Sequence, residues 1–134
     1  MGKKGLLLIG HGSRLPYNKE LIEVTAHQMA GMSEYLIKCA YMEKSTPNIE
    51  QVLAEFKKED IDLLVVVPLF LAKGVHVLED IPLIIGLEMG SCRGTFSVGN
   101  GRTIPLVYAE PIGKDPMLAK LMLKNAAAAL KTYL

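Results

Sequence analysis

The sequence predicts an open α/β domain: a mainly parallel four-stranded sheet of flavodoxin-like order 2-1-3-4, with helices on both faces. Three observations carry this. Short continuous apolar runs, the pattern of strands buried on both faces, alternate with segments of helical periodicity along the whole chain. A strand, helix, strand, helix order joins parallel strands by right-handed crossovers. The 134 residues are 50% hydrophobic, with 15 Lys+Arg against 14 Asp+Glu, enough apolar surface for one core spanning a single domain, 1–134.

The first strand is residues 5–10 (GLLLIG), which runs into Gly10-His11-Gly12-Ser13-Arg14. Pro16 then opens a helix whose Leu21, Ile22, Thr25, Ala26 and Met29 recur at helical spacing until Gly31. Tyr35 to Met42 reads as the second strand. Thr46-Pro47 reads as an N-cap and first-turn proline, ahead of an i, i+3, i+4, i+7 stripe of Ile49, Val52, Leu53 and Phe56. Asp62 to Pro68 (DLLVVVP) is the most hydrophobic run and so the central third strand. Asp80 is placed to cap a short helix ending at Gly86. Residues 89–102 are glycine-rich and low in aliphatics, which predicts a long flexible loop or a hairpin around Asn100-Gly101. Thr103 to Ala109 is the fourth strand. Asp115-Pro116 starts a last helix, about 115–131, whose Leu118, Leu121 and Met122 are expected to face the core, with Met29 and Met117 also core residues.

Composition excludes several classes of function. No basic run exceeds the pairs Lys3-Lys4 and Lys57-Lys58, Trp is absent and aromatics are 6%, so neither a basic face nor a stacking platform for nucleic acid is expected. The longest apolar stretch, Leu63 to Ala72, is broken by Pro68 and is about half a bilayer span. No membrane association is expected. Cys39 and Cys92 lack CxxC spacing, which reads as a reduced, cytoplasmic protein.

Ligands of open α/β sheets bind outside the carboxyl ends of the strands, where the winding direction reverses. In this order that point lies between strands one and three. After strand one stands His11, flanked by glycines; after strand three comes Leu69-Phe70-Leu71-Ala72-Lys73-Gly74-Val75-His76. Two of the three histidines thus converge on one edge from positions 65 apart, while His27 falls mid-helix and is read as solvated. Glu43 ends the second strand at the same edge. A His, His, carboxylate group suits Ni²⁺, Co²⁺, Zn²⁺ or Fe²⁺, and the absence of Cys clusters excludes a structural zinc or an iron–sulfur centre.

Other motifs fail on single residues. Leu15 occupies the third-glycine position of a dinucleotide fingerprint beginning at Gly10, and the same residue denies Ser13 a nucleophile elbow. No phosphate loop of the Gly-x4-Gly-Lys-Ser/Thr type is present. Gly10 stands where a histidine phosphatase places arginine before its His-Gly pair.

Gly10-His11-Gly12-Ser13-Arg14, Met42-Glu43, Val67-Pro68-Leu69-Phe70-Leu71 leading to Gly74-Val75-His76, Asp80-Ile81-Pro82, and the Glu110-Pro111-Ile112-Gly113 turn together resemble the short, archaeal-type sirohydrochlorin chelatases. The resemblance covers about residues 5–125. It implies a class II chelatase, a lyase-type enzyme that inserts Co²⁺ or Ni²⁺ into sirohydrochlorin without ATP, toward cobalamin or the nickel tetrapyrrole of methanogenesis. It implies metal on His11 and His76, with no cofactor beyond that substrate metal. Some short members carry a histidine-rich stretch before the last strand; residues 89–102 hold no histidine, so metal storage there is not implied.

The chemistry calls for a loosely held metal, acceptance of two pyrrole protons and donors for eight substrate carboxylates. His11 and His76 are the expected ligands, His11 and Glu43 the expected catalytic pair, and Gly12, Ser13, Arg14, Lys73 and Gly74 the expected substrate-binding residues. A cytosolic Ni/Co carrier without chemistry shares the histidines and stands as the alternative, and a covalent His11 enzyme is a third. Longer class II chelatases resemble two such lobes closing on one tetrapyrrole, so a homodimer is expected to supply the second wall.

Overall fold

The computed structural model describes residues 2–133. Five strands, β1 (Lys4–Gly10), β2 (Leu36–Tyr41), β3 (Leu63–Pro68), β4 (Arg93–Ser97) and β5 (Thr103–Tyr108), form one sheet of order β2-β1-β3-β5-β4. Four helices, α1 (Tyr17–Gly31), α2 (Ile49–Phe56), α3 (Ile81–Ile85) and α4 (Pro116–Tyr133), punctuate them. The parallel part has the expected order, with β1 between β2 and β3 and β3 beside β5.

The count differs by one strand. Residues 93–97 of the glycine-rich segment pair antiparallel with β5, so the hairpin forms, and the sheet is mixed. Only Phe96 of β4 is buried, which is why so polar a segment does not announce itself as a strand. A short, polar edge strand also limits edge-to-edge pairing with other chains.

Two apolar layers flank the sheet. On one side Leu7, Ile9, Leu64, Val66 and Leu106 meet α2 and α3 through Val52, Phe56, Ile81 and Ile85. On the other, Leu6, Leu8 and Tyr41 meet Ile22 and Ala26 of α1. Helix α1 lies close because Gly10 has no side chain: a Cβ there would overlap Ile22.

Two caps depart from expectation. Asn48, not Thr46, caps α2; its side chain accepts from the Gln51 N–H while Gln51 Oε1 accepts from the Asn48 N–H, each at 2.8 Å. The signal was the Asn-x-x-Gln capping box, which a reading centred on proline passes over. Asp80 makes no capping bond to α3, because its carboxylate is engaged elsewhere.

The last helix departs most. No residue of α4 is buried; Leu121 is 45% and Met122 58% exposed, and Met117 is exposed as well. Of the core face expected for it, only Leu118 is partly buried within the chain.

Tyr41 is 1% exposed and its hydroxyl has no hydrogen-bond partner among the described residues. Burial pushes its phenol up to about 12, and burial together with the Glu110 charge does the same for Tyr108. A phenol that ionises near 10 when unfolded and near 12 when folded stabilises the fold fully below pH 10, and that contribution is lost as pH climbs toward 12. Urea midpoints should therefore fall across pH 10–12. Tyr41→Phe should flatten part of that fall while leaving stability at pH 7 equal to wild type or up to about 1 kcal/mol higher, since it removes an unsatisfied buried polar group. A lower midpoint at pH 7 would show that the hydroxyl has a stabilising partner.

Candidate active site

The β1–β2 ladder continues past both strand ends. The Met42 N–H donates to the Gly10 carbonyl at 3.0 Å and the Glu43 N–H to the His11 carbonyl at 3.1 Å, which sets Glu43 beside His11. Gly12 makes this approach possible: it is buried, sits at φ +89°, and faces the Glu43 carbonyl oxygen where any Cβ would be. Its N–H donates to Asn18 Oδ1 of α1 at 2.9 Å. That donor, expected to meet a substrate carboxylate, is already used to hold the loop.

Ser13 is likewise tied inward. Its N–H donates to Ser45 Oγ at 3.4 Å, Ser45 Oγ donates to its carbonyl at 3.2 Å, and its own Oγ accepts from the Leu15 N–H. Arg14 is exposed and has no ion-pair partner among the described residues. Lys73 is exposed and pairs with Glu110 across the β3 and β5 loops at 3.4 Å. Gly74 stands in open space.

After β3 the chain turns into one π-helical turn, His76–Asp80, running directly into α3. Such turns widen the helix by one residue and recur at functional sites. Here the turn is fastened to the sheet by Tyr108, whose hydroxyl donates to the Val77 carbonyl at 2.7 Å. It carries His76 toward His11: their ring centroids are 5.0 Å apart, and Phe70 stands 6.2 Å from each ring.

The two imidazoles share one hydrogen-bonding habit. His11 Nδ1 lies 3.0 Å from the Gly12 carbonyl, and His76 Nδ1 lies 2.7 Å from Asp80 Oδ2. Both partners accept, so in the neutral form of each ring Nδ1 carries the proton and Nε2 is free to bind a metal. His11 Nε2 faces Glu43 Oε1 at 3.5 Å. The side chains of His11, Glu43, His76 and Asp80 are between 37% and 49% exposed, so they form an open strand-end edge instead of an enclosed cavity. Among the described residues no three His, Cys, Asp or Glu side chains make a ready-made metal cage.

The structure thus brings together His11, His76 and Glu43, as expected from the switch point, and places Ser13 on the adjoining loop. Asp80 is the residue that sequence reasoning missed. The i, i+4 spacing of His76 and Asp80 on a helical turn was the available signal.

The CbiX family model matches residues 5–129. A sirohydrochlorin cobaltochelatase of Methanosarcina barkeri is 40% identical over 129 residues, covering 96% of this chain and 98% of that protein. Among solved structures, a cobalamin biosynthesis CbiX protein from Marinobacter aquaeolei VT8 superposes with a TM-score of 0.67 at 26% identity, covering 96% of this chain and 98% of that one. The sirohydrochlorin chelatase SirB of Bacillus subtilis subspecies spizizenii, solved in complex with cobalt, gives a TM-score of 0.57 at 28% identity, over 63% of this chain and 36% of SirB. Together with the paired imidazoles, these matches define a metal chelatase built on one α/β lobe. The chain belongs to the CbiX family, in agreement with the resemblance its histidine motifs carry.

Proposed function

We propose that this protein inserts Co²⁺ into sirohydrochlorin without ATP, as a cytoplasmic enzyme, with His11 and His76 ligating the incoming metal and Glu43 assisting as third ligand or proton acceptor. The observation that carries the reading is the pair of imidazoles 5.0 Å apart, each with Nδ1 engaged and Nε2 unassigned, beside a carboxylate. With His11 neutral and its proton on Nδ1, Nε2 and Glu43 Oε1 at 3.5 Å are two electron-pair donors facing one another. A cation between them relieves that opposition. Two ligands about 2.1 Å from a common ion at a roughly tetrahedral angle stand about 3.5 Å apart.

Two or three ligands on a half-exposed edge leave coordination positions for water or pyrrole nitrogen, which is what a site that hands its metal over requires. As the metal passes to the ring, its bonds to the protein ligands break, four metal–nitrogen bonds form, two N–H bonds break, and two protons leave. Glu43, at the edge and half exposed, is placed to accept one and pass it to solvent. Arg14 and Lys73 lie on the flanking loops for substrate carboxylates, Lys73 at the cost of its Glu110 pair.

Cobalt is the metal that the M. barkeri relative's name and the SirB complex support. Ni²⁺ suits the same ligands and should bind at least as tightly. One lobe offers one wall, so the working form is a homodimer with two strand-end edges enclosing the tetrapyrrole.

The test mixes protein, sirohydrochlorin and Co²⁺ at neutral pH without nucleotide and follows the absorbance change of the macrocycle. Acceleration well above the spontaneous rate is expected. A protein that binds Co²⁺ but leaves the spontaneous rate unchanged would be a metal carrier, and the proposal would fall.

A further inference from the structure

The turn that carries His76 changes hydrogen-bond register within a few residues. The Leu78 N–H donates to the Gly74 carbonyl, four residues back, at 2.9 Å, whereas the Ile81 N–H reaches five residues back to the His76 carbonyl. Helix α3 then closes with the Gly86 N–H on the Pro82 carbonyl, four residues back again. One residue is surplus between these registers, and the Val77 carbonyl is left without a helical donor. In an α-helix that donor would be the Ile81 N–H, which the His76 carbonyl takes. In a π-helix it would come from residue 82, which is proline and has no N–H. Val77 is 4% exposed, and a buried carbonyl without a donor is costly. The missing donor is supplied by the Tyr108 hydroxyl at 2.7 Å.

Tyr108 is held rigidly enough to dictate the turn. Its N–H donates to the Cys92 carbonyl at 2.9 Å, and the next N–H, of Ala109, donates to the Val66 carbonyl of β3 at 2.8 Å. Its side chain packs against the core layer that includes Ile81 and Ile85. From this arrangement we propose that Tyr108 is a positioning residue for His76: its hydroxyl selects the π register of residues 76–80 over the α register, and that register sets where the His76 imidazole stands relative to His11. This deepens the proposed function and rests on it for the role of His76 as a metal ligand.

The selection is a competition for one donor. With the hydroxyl on the Val77 carbonyl, the Ile81 N–H is free for the His76 carbonyl and both acceptors are satisfied. Without the hydroxyl, the Val77 carbonyl regains a helical partner by taking the Ile81 N–H, and the turn becomes α-helical. The surplus residue then leaves the turn, His76 rotates relative to Asp80, and the ring that stands 5.0 Å from His11 is displaced.

Tyr108→Phe keeps the ring and deletes the donor. A crystal structure of the metal-free variant should show the Ile81 N–H moved from the His76 to the Val77 carbonyl and the two imidazole centroids no longer 5.0 Å apart. Titration of the folded variant with Co²⁺ should show binding weaker by about tenfold, the lower end of the range for residues that orient a metal-bound imidazole. Pro82→Ala gives the Val77 carbonyl an N–H of its own, so in that background the Tyr108→Phe loss should shrink to about twofold or less, as expected of two residues coupled through one acceptor. A π turn that persists in Tyr108→Phe, a Tm that falls while Co²⁺ affinity stays at wild type, or an equal loss with and without the proline would each overturn the proposal. Cobalt insertion by the wild-type protein is scored separately: no acceleration removes the proposed function, while the register shift in the metal-free variant still supports this inference. An active wild type with an unshifted Tyr108→Phe does the reverse.

Discussion

His76→Ala is expected to lower the rate of cobalt insertion by at least about 100-fold while leaving the fold intact. The size follows from the coordination geometry. Altering a residue that merely orients a metal-bound imidazole costs about 10–100-fold, and removing the imidazole itself takes away one of two nitrogen ligands. Asp80→Asn then provides an internal scale. The amide NH₂ or oxygen still reaches Nδ1 but no longer holds it as a pure donor, so the loss should fall within that 10–100-fold range and appear chiefly as weaker Co²⁺ binding. His11→Ala should match His76→Ala, because the rings stand 5.0 Å apart and each is proposed to supply one nitrogen ligand to the same metal. Stability should change little in all three, since these side chains are 37–44% exposed. Initial rates with saturating sirohydrochlorin, together with Co²⁺ titration, check this. A wild-type rate in either alanine variant would remove the histidines from the reaction.

How far the sequence alone reaches can be seen residue by residue. Strand β1 is legible because a parallel strand covered on both faces must be apolar at every position, and β3 because its aliphatic run is unbroken, although only alternate residues of it are fully buried. From their order alone the switch point, and with it His11, His76 and Glu43, falls on one edge. Strand β4 escapes because an edge strand that buries only Phe96 has almost no period to read. Helix α4 escapes for another reason: periodicity shows that a helix has an apolar face but says nothing about whose surface the face covers. A capping rule points Asp80 at the start of α3, but its carboxylate takes a stronger partner, an imidazole nitrogen 2.7 Å away. Backbone donors in glycine loops often bind anions, which points Gly12 toward the substrate. Its φ and its contact with the Glu43 carbonyl show a positional reason for the glycine that no local pattern contains.

That reason makes Gly12→Ala the substitution with the largest expected effect on folding. At φ +89° an L-residue is strained by roughly 1–2 kcal/mol before it meets any neighbour. Here its Cβ would lie 1.7 Å from the Glu43 carbonyl oxygen, a backbone atom that cannot swing aside as a side-chain tip would. The loops after β1 and β2 would have to part, and the bonds lost first would be the Glu43 N–H to the His11 carbonyl and the Gly12 N–H to Asn18. A loss of about 3 kcal/mol or more is expected, which for a chain of this size lowers Tm on the order of 10 °C. The same movement separates His11 from Glu43, so cobalt insertion should fall even at temperatures where the variant is fully folded. Gly31→Ala at the end of α1 is the control: nothing lies within 4 Å of its Cβ position, and Ala favours the helix. It should leave Tm unchanged or slightly higher. If Gly12→Ala melts with wild type and keeps its activity, then the approach of the two loops is not what holds His11 and Glu43 together.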